Sequence, residues 1–255
     1  MPDHLTDIKD IDREYPVRIE YLREATSTND LASVPEKRHG DVVWAENQTK
    51  GRGQRGNSWS SAIGNNLTFS LVIEPENLPA EKQFYISKIV SISVIETLRN
   101  SGLSAEIKWP NDIYINDQKV AGILIENDLQ GANITKSVLG IGLNVNQEIF
   151  DPSLPNPTSM HLEAGKSFDR EILLKEILTR ILKWNQALTD DRFAEIDEVY
   201  SRFLYRRKGE FLFREPAGKP FEASIVKVES SGELILYRSD GIQKGYFFKE
   251  VEFII

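Results

Sequence analysis

The sequence predicts an α/β (α+β) protein in which a mixed central sheet with flanking helices is followed by a small C-terminal antiparallel β-barrel. Three observations carry that expectation. Strand-like and helix-like segments interleave as far as Tyr205, the arrangement of a sheet covered by helices. After Tyr205-Arg206-Arg207-Lys208-Gly209 the chain changes to short β-rich stretches separated by glycine-containing turns, the spacing of a small barrel. The 255 residues, 40% of them apolar, suffice for one large core and a small one.

Residues 42–46, Val-Val-Trp-Ala-Glu, and residues 67–73, Leu-Thr-Phe-Ser-Leu-Val-Ile, have strand character. Over residues 80–100, Phe84, Ile89, Ile92, Ile95 and Leu98 fall near helical spacing, and Gly102 ends the run. Residues 105–109 and 112–115 pair as strands about a Pro-Asn-Asp turn; a second turn at Asn116-Asp117-Gln118 returns residues 120–126 as a third strand. Asp169 is a good N-cap for a helix carrying Leu173, Ile177, Ile181, Trp184 and Leu188. A further helix from Asp191 buries Phe193, Ile196, Val199, Tyr200 and Phe203. The β-rich stretches that follow are residues 210–213, 221–228, 233–237 and 245–248. The change of pattern places a domain boundary near Lys208, dividing the chain into residues 1–207 and 208–255.

Composition excludes several function classes. A formal net charge of −8 argues against binding DNA, whose phosphates must be met by clustered Lys and Arg. Zero cysteines exclude disulfides and thiolate metal sites, and His4, His39 and His161 lack ligand spacing. The N-terminus is charged from Asp3 onward and no apolar run approaches a membrane span, so the expected location is cytoplasmic, with no membrane partner.

Two motifs carry the chemistry. Gly51-Arg52-Gly53-Gln54-Arg55-Gly56-Asn57-Ser58-Trp59 is a glycine loop with two guanidinium groups, where glycine lets the backbone approach a ligand and arginine offers a fork for carboxylate or phosphate. Lys108-Trp109-Pro110-Asn111-Asp112, running on to Lys119 and Gly122, brings two lysines and a carboxylate toward the same kind of ligand. Gly51, Gly53 and Gly56 match the dinucleotide-binding turn, but a helix should open directly afterwards and a polar, turn-rich run follows instead. Kinase motifs and the phosphate loop ending in Gly-Lys-Ser/Thr are absent. Taken alone, the loop also reads as a solvated glycine turn.

Taken together, in this order and spacing, the motifs resemble the biotin-protein ligases, enzymes that activate biotin with ATP and attach it to a lysine of a carrier protein. The resemblance extends to Thr26-Ser27-Thr28-Asn29, Glu46-Asn47-Gln48-Thr49-Lys50, residues 108–126, Gly140-Ile141-Gly142-Leu143-Asn144-Val145-Asn146 and Pro157-Thr158-Ser159. It implies a catalytic set of Lys119, Arg52 and Asp112. Lys119 would contact both the biotin carboxylate and the α-phosphate, Arg52 with Gly53 and Gln54 would close over the ligand, and Asp112 would orient the attacking amine or a metal ion. Ser27, Thr28, Asn29 and Gln48 would meet the ureido head of biotin, with Gly51, Trp59, Lys108, Asn111, Gly122 and Asn144 completing the ligand-binding set.

The chemistry fits those residue types. Joining a carboxylate to ATP sets an anion against a polyanion, so cations must screen the repulsion and then stabilise charge on a five-coordinate phosphorus. Mg²⁺ is expected with ATP, and no residues are assigned to a metal of the protein's own. The residues keep plainer readings as well. Ser27-Thr28-Asn29 can serve as a helix cap, Trp59 and Trp109 as packing groups, Lys108 as a surface ion pair, and Asn144 as a core hydrogen bonder.

The resemblance implies a biotin carboxyl carrier protein or carboxylase domain as partner, and leaves a homodimer open. Roughly 25 residues precede Ser27, too few for the three-helix DNA-binding module some family members carry, so no repressor role is expected. Where many members have a second arginine two positions after the first, this chain has Gln54, which would loosen retention of the activated intermediate. The competing readings are a lipoate-protein ligase or related acyltransferase and a noncatalytic biotin binder.

Overall fold

The computed structural model describes residues 4–6 and 16–255. In chain order the elements are β1 (His4–Thr6), β2 (Arg18–Ala25), α1 (Thr28–Ala32), β3 (Asp41–Gln48), β4 (Leu67–Ile73), β5 (Leu78–Pro79), α2 (Phe84–Asn100), β6 (Glu106–Lys108), β7 (Asp112–Ile115), β8 (Gln118–Gln130), β9 (Asn133–Leu143), α3 (Met160–Ala164), α4 (Arg170–Thr189) and α5 (Phe193–Arg202). The C-terminal strands are β10 (Phe211–Arg214), β11 (Pro220–Val228), β12 (Leu234–Arg238), β13 (Gln243–Tyr246) and β14 (Glu252–Phe253).

The large sheet runs β1-β2-β3-β4-β9-β8-β7-β6, with β5 pairing the start of β9. It is mixed because β2 and β3 are parallel while the other ladders are antiparallel. β4 lies at its centre with every residue buried, as expected of a strand covered on both faces. Its two polar residues, Thr68 and Ser70, share one face because side chains alternate along a strand. That face looks toward α1 and the site.

α2 packs against α4, α5 and strands β6 to β8. Ile86, Ile89, Ile92, Ile95 and Leu98 enter the core. The helix starts at Phe84 rather than Ala80, since residues 80–82 form a 3₁₀ turn after Pro79. Asp169 caps α4 through its carboxylate, which accepts from the amides of Glu171 and Ile172. α5 begins two residues later than Asp191. The close of α4 uses that segment: the Arg192 amide bonds Ala187 C=O while Asp191 takes a left-handed φ of 55°.

Strand β2 escapes sequence reading because its charged side chains hide the alternation and only Ile19 and Ala25 are buried in it. The C-terminal segment is a five-stranded antiparallel sheet in the order β13-β12-β11-β10-β14, standing where the sequence reads a small barrel. Trp109 ties it to the larger sheet by donating Nε1–H to Gly232 C=O at 2.9 Å. Lys88 of α2 adds a second tie, its buried ammonium reaching Asp197 of α5 at 2.5 Å and Val228 C=O of β11 at 3.0 Å.

Arg170 at the start of α4 clamps this helix to β3. Its guanidinium lies 2.7 Å from one Glu46 oxygen and 3.1 Å from the other, and Tyr21 donates to the same carboxylate at 2.5 Å. Burial pushes the Glu46 pKa up, but the bonds from Arg170 and Tyr21 outweigh it and the net direction is downward from 4.5. A depressed folded-state pKa adds stability above the unfolded value, and that stability is lost as pH falls through the folded one. Glu46→Gln should therefore cost about 2 kcal/mol at pH 7. The gap to wild type should close as denaturation midpoints are followed below about pH 4.5. A difference constant from pH 7 to 3 would contradict the clamp.

Candidate ligand and catalytic site

A cavity of about 920 Å³ opens between the large sheet and the C-terminal sheet. Of the residues singled out in the sequence, Ser27, Thr28, Asn29, Gln48, Arg52, Gly53, Gln54, Trp59, Lys108, Asn111, Asp112, Lys119 and Gly122 line it. Gly51 and Asn144 do not. Gly51 stands behind the loop, where a Cβ would lie 2.2 Å from Trp59 C=O. Asn144 is buried, donating to Thr158 C=O at 2.9 Å, so the structure gives it the core hydrogen-bonding role.

The floor of the cavity is the β8–β9 ladder, where Gly122 pairs with Gly142 and Leu124 with Gly140. The Trp59 ring lies against this floor: a Cβ on Gly142 would stand 2.2 Å from it, and one on Gly122 would stand 3.1 Å away. A Cβ on Gly140 would collide with Asn29 Oδ1 at 2.1 Å. Glycine at these positions is what lets polar and aromatic groups approach the sheet backbone. Gly140 and Gly142 were legible as part of a Gly-x-Gly-x-Asn strand, but their steric role is visible only in the ladder.

Lys119 is held by its neighbours in the chain. Asn116 and Asp117 adopt φ of 48° and 63°, as a two-residue hairpin turn requires. An irregularity between Ile113 and Tyr114 then shifts the β7–β8 register beside Lys119. Its amide donates to Asn156 C=O at 2.7 Å and its carbonyl accepts from Thr158 at 2.9 Å. The Nζ lies 2.6 Å from Asp112 Oδ1, an ion pair outside hydrogen-bonding geometry, and 5.9 Å from the Trp59 ring centre.

Lys108 sits on the same wall over Tyr114 at 4.8 Å and Phe253 at 5.4 Å. Burial pulls its pKa down, partly opposed by Asp112. Its environment is thus aromatic and desolvated rather than an exposed ion pair. Asn111 faces Ile123, to whose carbonyl it donates at 2.8 Å.

The polar subsite begins at the N-terminus of α1. Ser27 is the N-cap residue by position, yet its side chain makes no capping bond, which leaves the hydroxyl of a buried serine for the cavity. The Thr28 amide donates to Gln48 Oε1 at 2.7 Å. Ser70 Oγ lies 2.8 Å from Thr28 Oγ1 and 2.6 Å from Asn29 Oδ1. Arg52 forks onto Glu126 at 2.9 and 2.6 Å and reaches Asp30 at 2.8 Å. Ser70 and Asp30 carried no motif in the sequence, and Glu126, the last residue of the 108–126 stretch, was given no role there. Gln54 Oε1 and Trp59 Nε1 are buried in the cavity wall without a hydrogen-bond partner in the protein, which is how unspent ligand-binding capacity looks in a native fold.

The biotin/lipoate A/B protein ligase family model matches residues 21–144, a span that contains every site residue named from the sequence. The bifunctional ligase/repressor BirA of Bacillus subtilis is 30% identical over 211 residues, 81% of this chain and 64% of that protein. The biotin--[acetyl-CoA-carboxylase] ligase of Paracoccus denitrificans is 28% identical over 228 residues, 86% of this chain and 93% of its own. The solved biotin protein ligase from Aquifex aeolicus in complex with biotin and ATP superposes with a TM-score of 0.76 at 25% identity, over 92% of this chain and 97% of that one. Over residues 21–144 the chain matches the biotin/lipoate A/B protein ligase family, and its length beyond that span is similar to biotin protein ligases. It spans 64% of the length of the Bacillus relative.

The cavity has a second wall that the family model does not reach. Arg214, Glu252 and Phe253 of the C-terminal sheet, with Lys249 of the turn before β14, face the same space as Lys119. Among the described residues, no helix is long and apolar enough to cross a membrane, and no three of His, Cys, Asp and Glu converge to hold a metal ion.

Proposed function

We propose that this chain activates biotin with ATP as biotinyl-5'-AMP and transfers the biotinyl group to a lysine of a biotin carboxyl carrier protein. The observation that carries the reading is one cavity lined both by neutral donors and acceptors, Ser27, Thr28, Asn29 and Gln48, and by the cations Arg52, Lys108 and Lys119. A ureido head requires the first set in a fixed array, and a carboxylate meeting a polyphosphate requires the second.

In the first step a biotin carboxylate oxygen attacks the α-phosphorus, forming the C–O–P anhydride as pyrophosphate leaves. Lys119 bridges the two anions and stabilises the added charge, while Arg52, Gly53 and Gln54 keep water from the anhydride. In the second step a neutral lysine amine attacks the acyl carbon; the C–N bond forms, the C–O bond to AMP breaks, and the amine gives up a proton. Asp112 orients that amine.

Mg²⁺ would arrive on the ATP phosphates, whose charge it neutralises, since the residues present supply at most the Asp112 carboxylate and Mg²⁺ is commonly held by few carboxylates plus phosphate oxygens. Residues 1–207 form the ligand-binding unit of this proposal and residues 208–255 a smaller one that closes the cavity. The carrier as partner, a cytoplasmic location and a homodimer belong to the same reading.

The test is exchange of labelled pyrophosphate into ATP with biotin and lipoate as parallel substrates. Biotin-dependent exchange is the expected result. Exchange with lipoate alone would move the chain to the lipoate ligases of the same family, and silence with both would leave a binding protein.

A further inference from the structure

Glu126 lies on β8 at the point where the polar subsite and the glycine loop meet. Its Oε2 accepts from Asn29 Nδ2 at 2.8 Å and from Arg52 at 2.6 Å, while Oε1 takes the other arm of the Arg52 fork at 2.9 Å. A carboxylate can only accept, so it dictates the direction of every bond leading to it. Asn29 must present its NH₂ to Glu126 and its oxygen to Ser70. The Ser70 proton is then committed to Asn29 Oδ1 at 2.6 Å, while Thr28 Oγ1, 2.8 Å from Ser70 Oγ, donates to Gln48 Oε1 at 3.1 Å. Gln48 Oε1 is taken by the Thr28 amide and hydroxyl, which leaves Gln48 Nε2 as a donor.

We infer that Glu126 is a positioning residue coupling the two parts of the site: one carboxylate sets which way the Asn29 amide and the Ser70 hydroxyl point in the polar subsite and holds Arg52 of the glycine loop against the cavity. Asp30 shares only the second task, since it reaches Arg52 alone. Bonds to a charged acceptor are the strong ones, and a directed chain polarises along its length. Glu126→Gln removes the charge and offers an NH₂ group that faces either the Asn29 amide or the guanidinium, so one donor set loses its acceptor. The subsite and the loop are thereby linked through a residue that need not touch the reacting atoms.

The inference rests on the proposed biotin chemistry for its kinetic consequence but not for its structural one, and two measurements separate them. The full chain is compared as wild type, Glu126→Gln, Glu126→Asp and Asp30→Asn, with melting temperature as a check on folding. In pyrophosphate exchange, Glu126→Gln should raise the biotin KM on the order of tenfold, with partial recovery in Glu126→Asp. Asp30→Asn should leave that KM within about twofold, because it keeps the Asn29 bond. In limited trypsin digestion without ligand, cleavage at Arg52 should be several-fold faster in Glu126→Gln and intermediate in Asp30→Asn.

A biotin KM in Glu126→Gln equal to wild type, or a fall in kcat alone, would overturn the coupling to the subsite. Unchanged cleavage at Arg52 would overturn the coupling to the loop. If wild type shows no biotin-dependent exchange, the proposed function fails, and the digestion result still decides whether Glu126 holds the loop.

Discussion

Lys119→Ala is expected to slow biotin-dependent pyrophosphate exchange by at least on the order of a hundredfold, the equivalent of about 3 kcal/mol of lost transition-state stabilisation. The reason is geometric. Main-chain bonds to Asn156 and Thr158 fix the backbone of Lys119 on both sides, so the ammonium is placed before any ligand arrives and no reorganisation is required as charge builds on phosphorus. The side chain is a third exposed and its partner is Asp112, so the melting temperature should move little while the rate collapses. Asp112→Asn separates the steps: exchange should survive better than transfer to the carrier if the carboxylate orients the amine. A loss below tenfold in Lys119→Ala would remove the lysine from the centre of the mechanism.

Gly140→Ala should weaken biotin binding by about a hundredfold, because the buried Asn29–Ser70 bond and the half-buried Asn29–Glu126 bond are lost together. The added methyl would stand 2.1 Å from Asn29 Oδ1 and 2.9 Å from its Cγ, so Asn29 must leave the position from which it bonds Ser70 and Glu126. Isothermal titration with biotin reads this directly. Gly131→Ala, in the turn between β8 and β9, is the control. Its φ of 63° makes the substitution strained, but no atom lies within 4 Å of the new Cβ. That variant should lose roughly 1 kcal/mol of stability and keep its affinity. Equal affinity losses in the two variants would mean that the effect spreads through the hairpin rather than through Asn29.

How far the site was legible varies residue by residue. Lys108, Asp112 and Lys119 could be placed together because they lie on two successive hairpins, where turn residues and alternation set the register within a few positions. Arg52 and Trp59 were legible as members of a glycine loop, but not what they face. The acids that hold Arg52 stand on α1 and β8 and the glycines under Trp59 on β8 and β9, all well removed in sequence. Asn144 had two readings in the sequence, ligand binding by its place in a motif and core hydrogen bonding, and its amide donates to Thr158 C=O. The short elements α1 and α3 and strand β14 were missed because none is long enough to display a period.

The sequence by itself determined the local vocabulary. Apolar spacing specified α2 and α4, Asp169 set where α4 starts, the Asn116-Asp117 turn set the β7–β8 hairpin, and the glycine loop with Lys-Trp-Pro-Asn-Asp pointed to an anion site. Only the tertiary structure decided that Asn29 meets Glu126 across 97 residues and Ser70 across 41, that β4 carries Ser70 into the subsite, and that the C-terminal sheet supplies a second wall. The physical reason is that propensity, capping and turn geometry act over a few residues, whereas sheet order and burial bring together groups whose separation along the chain leaves no periodic trace.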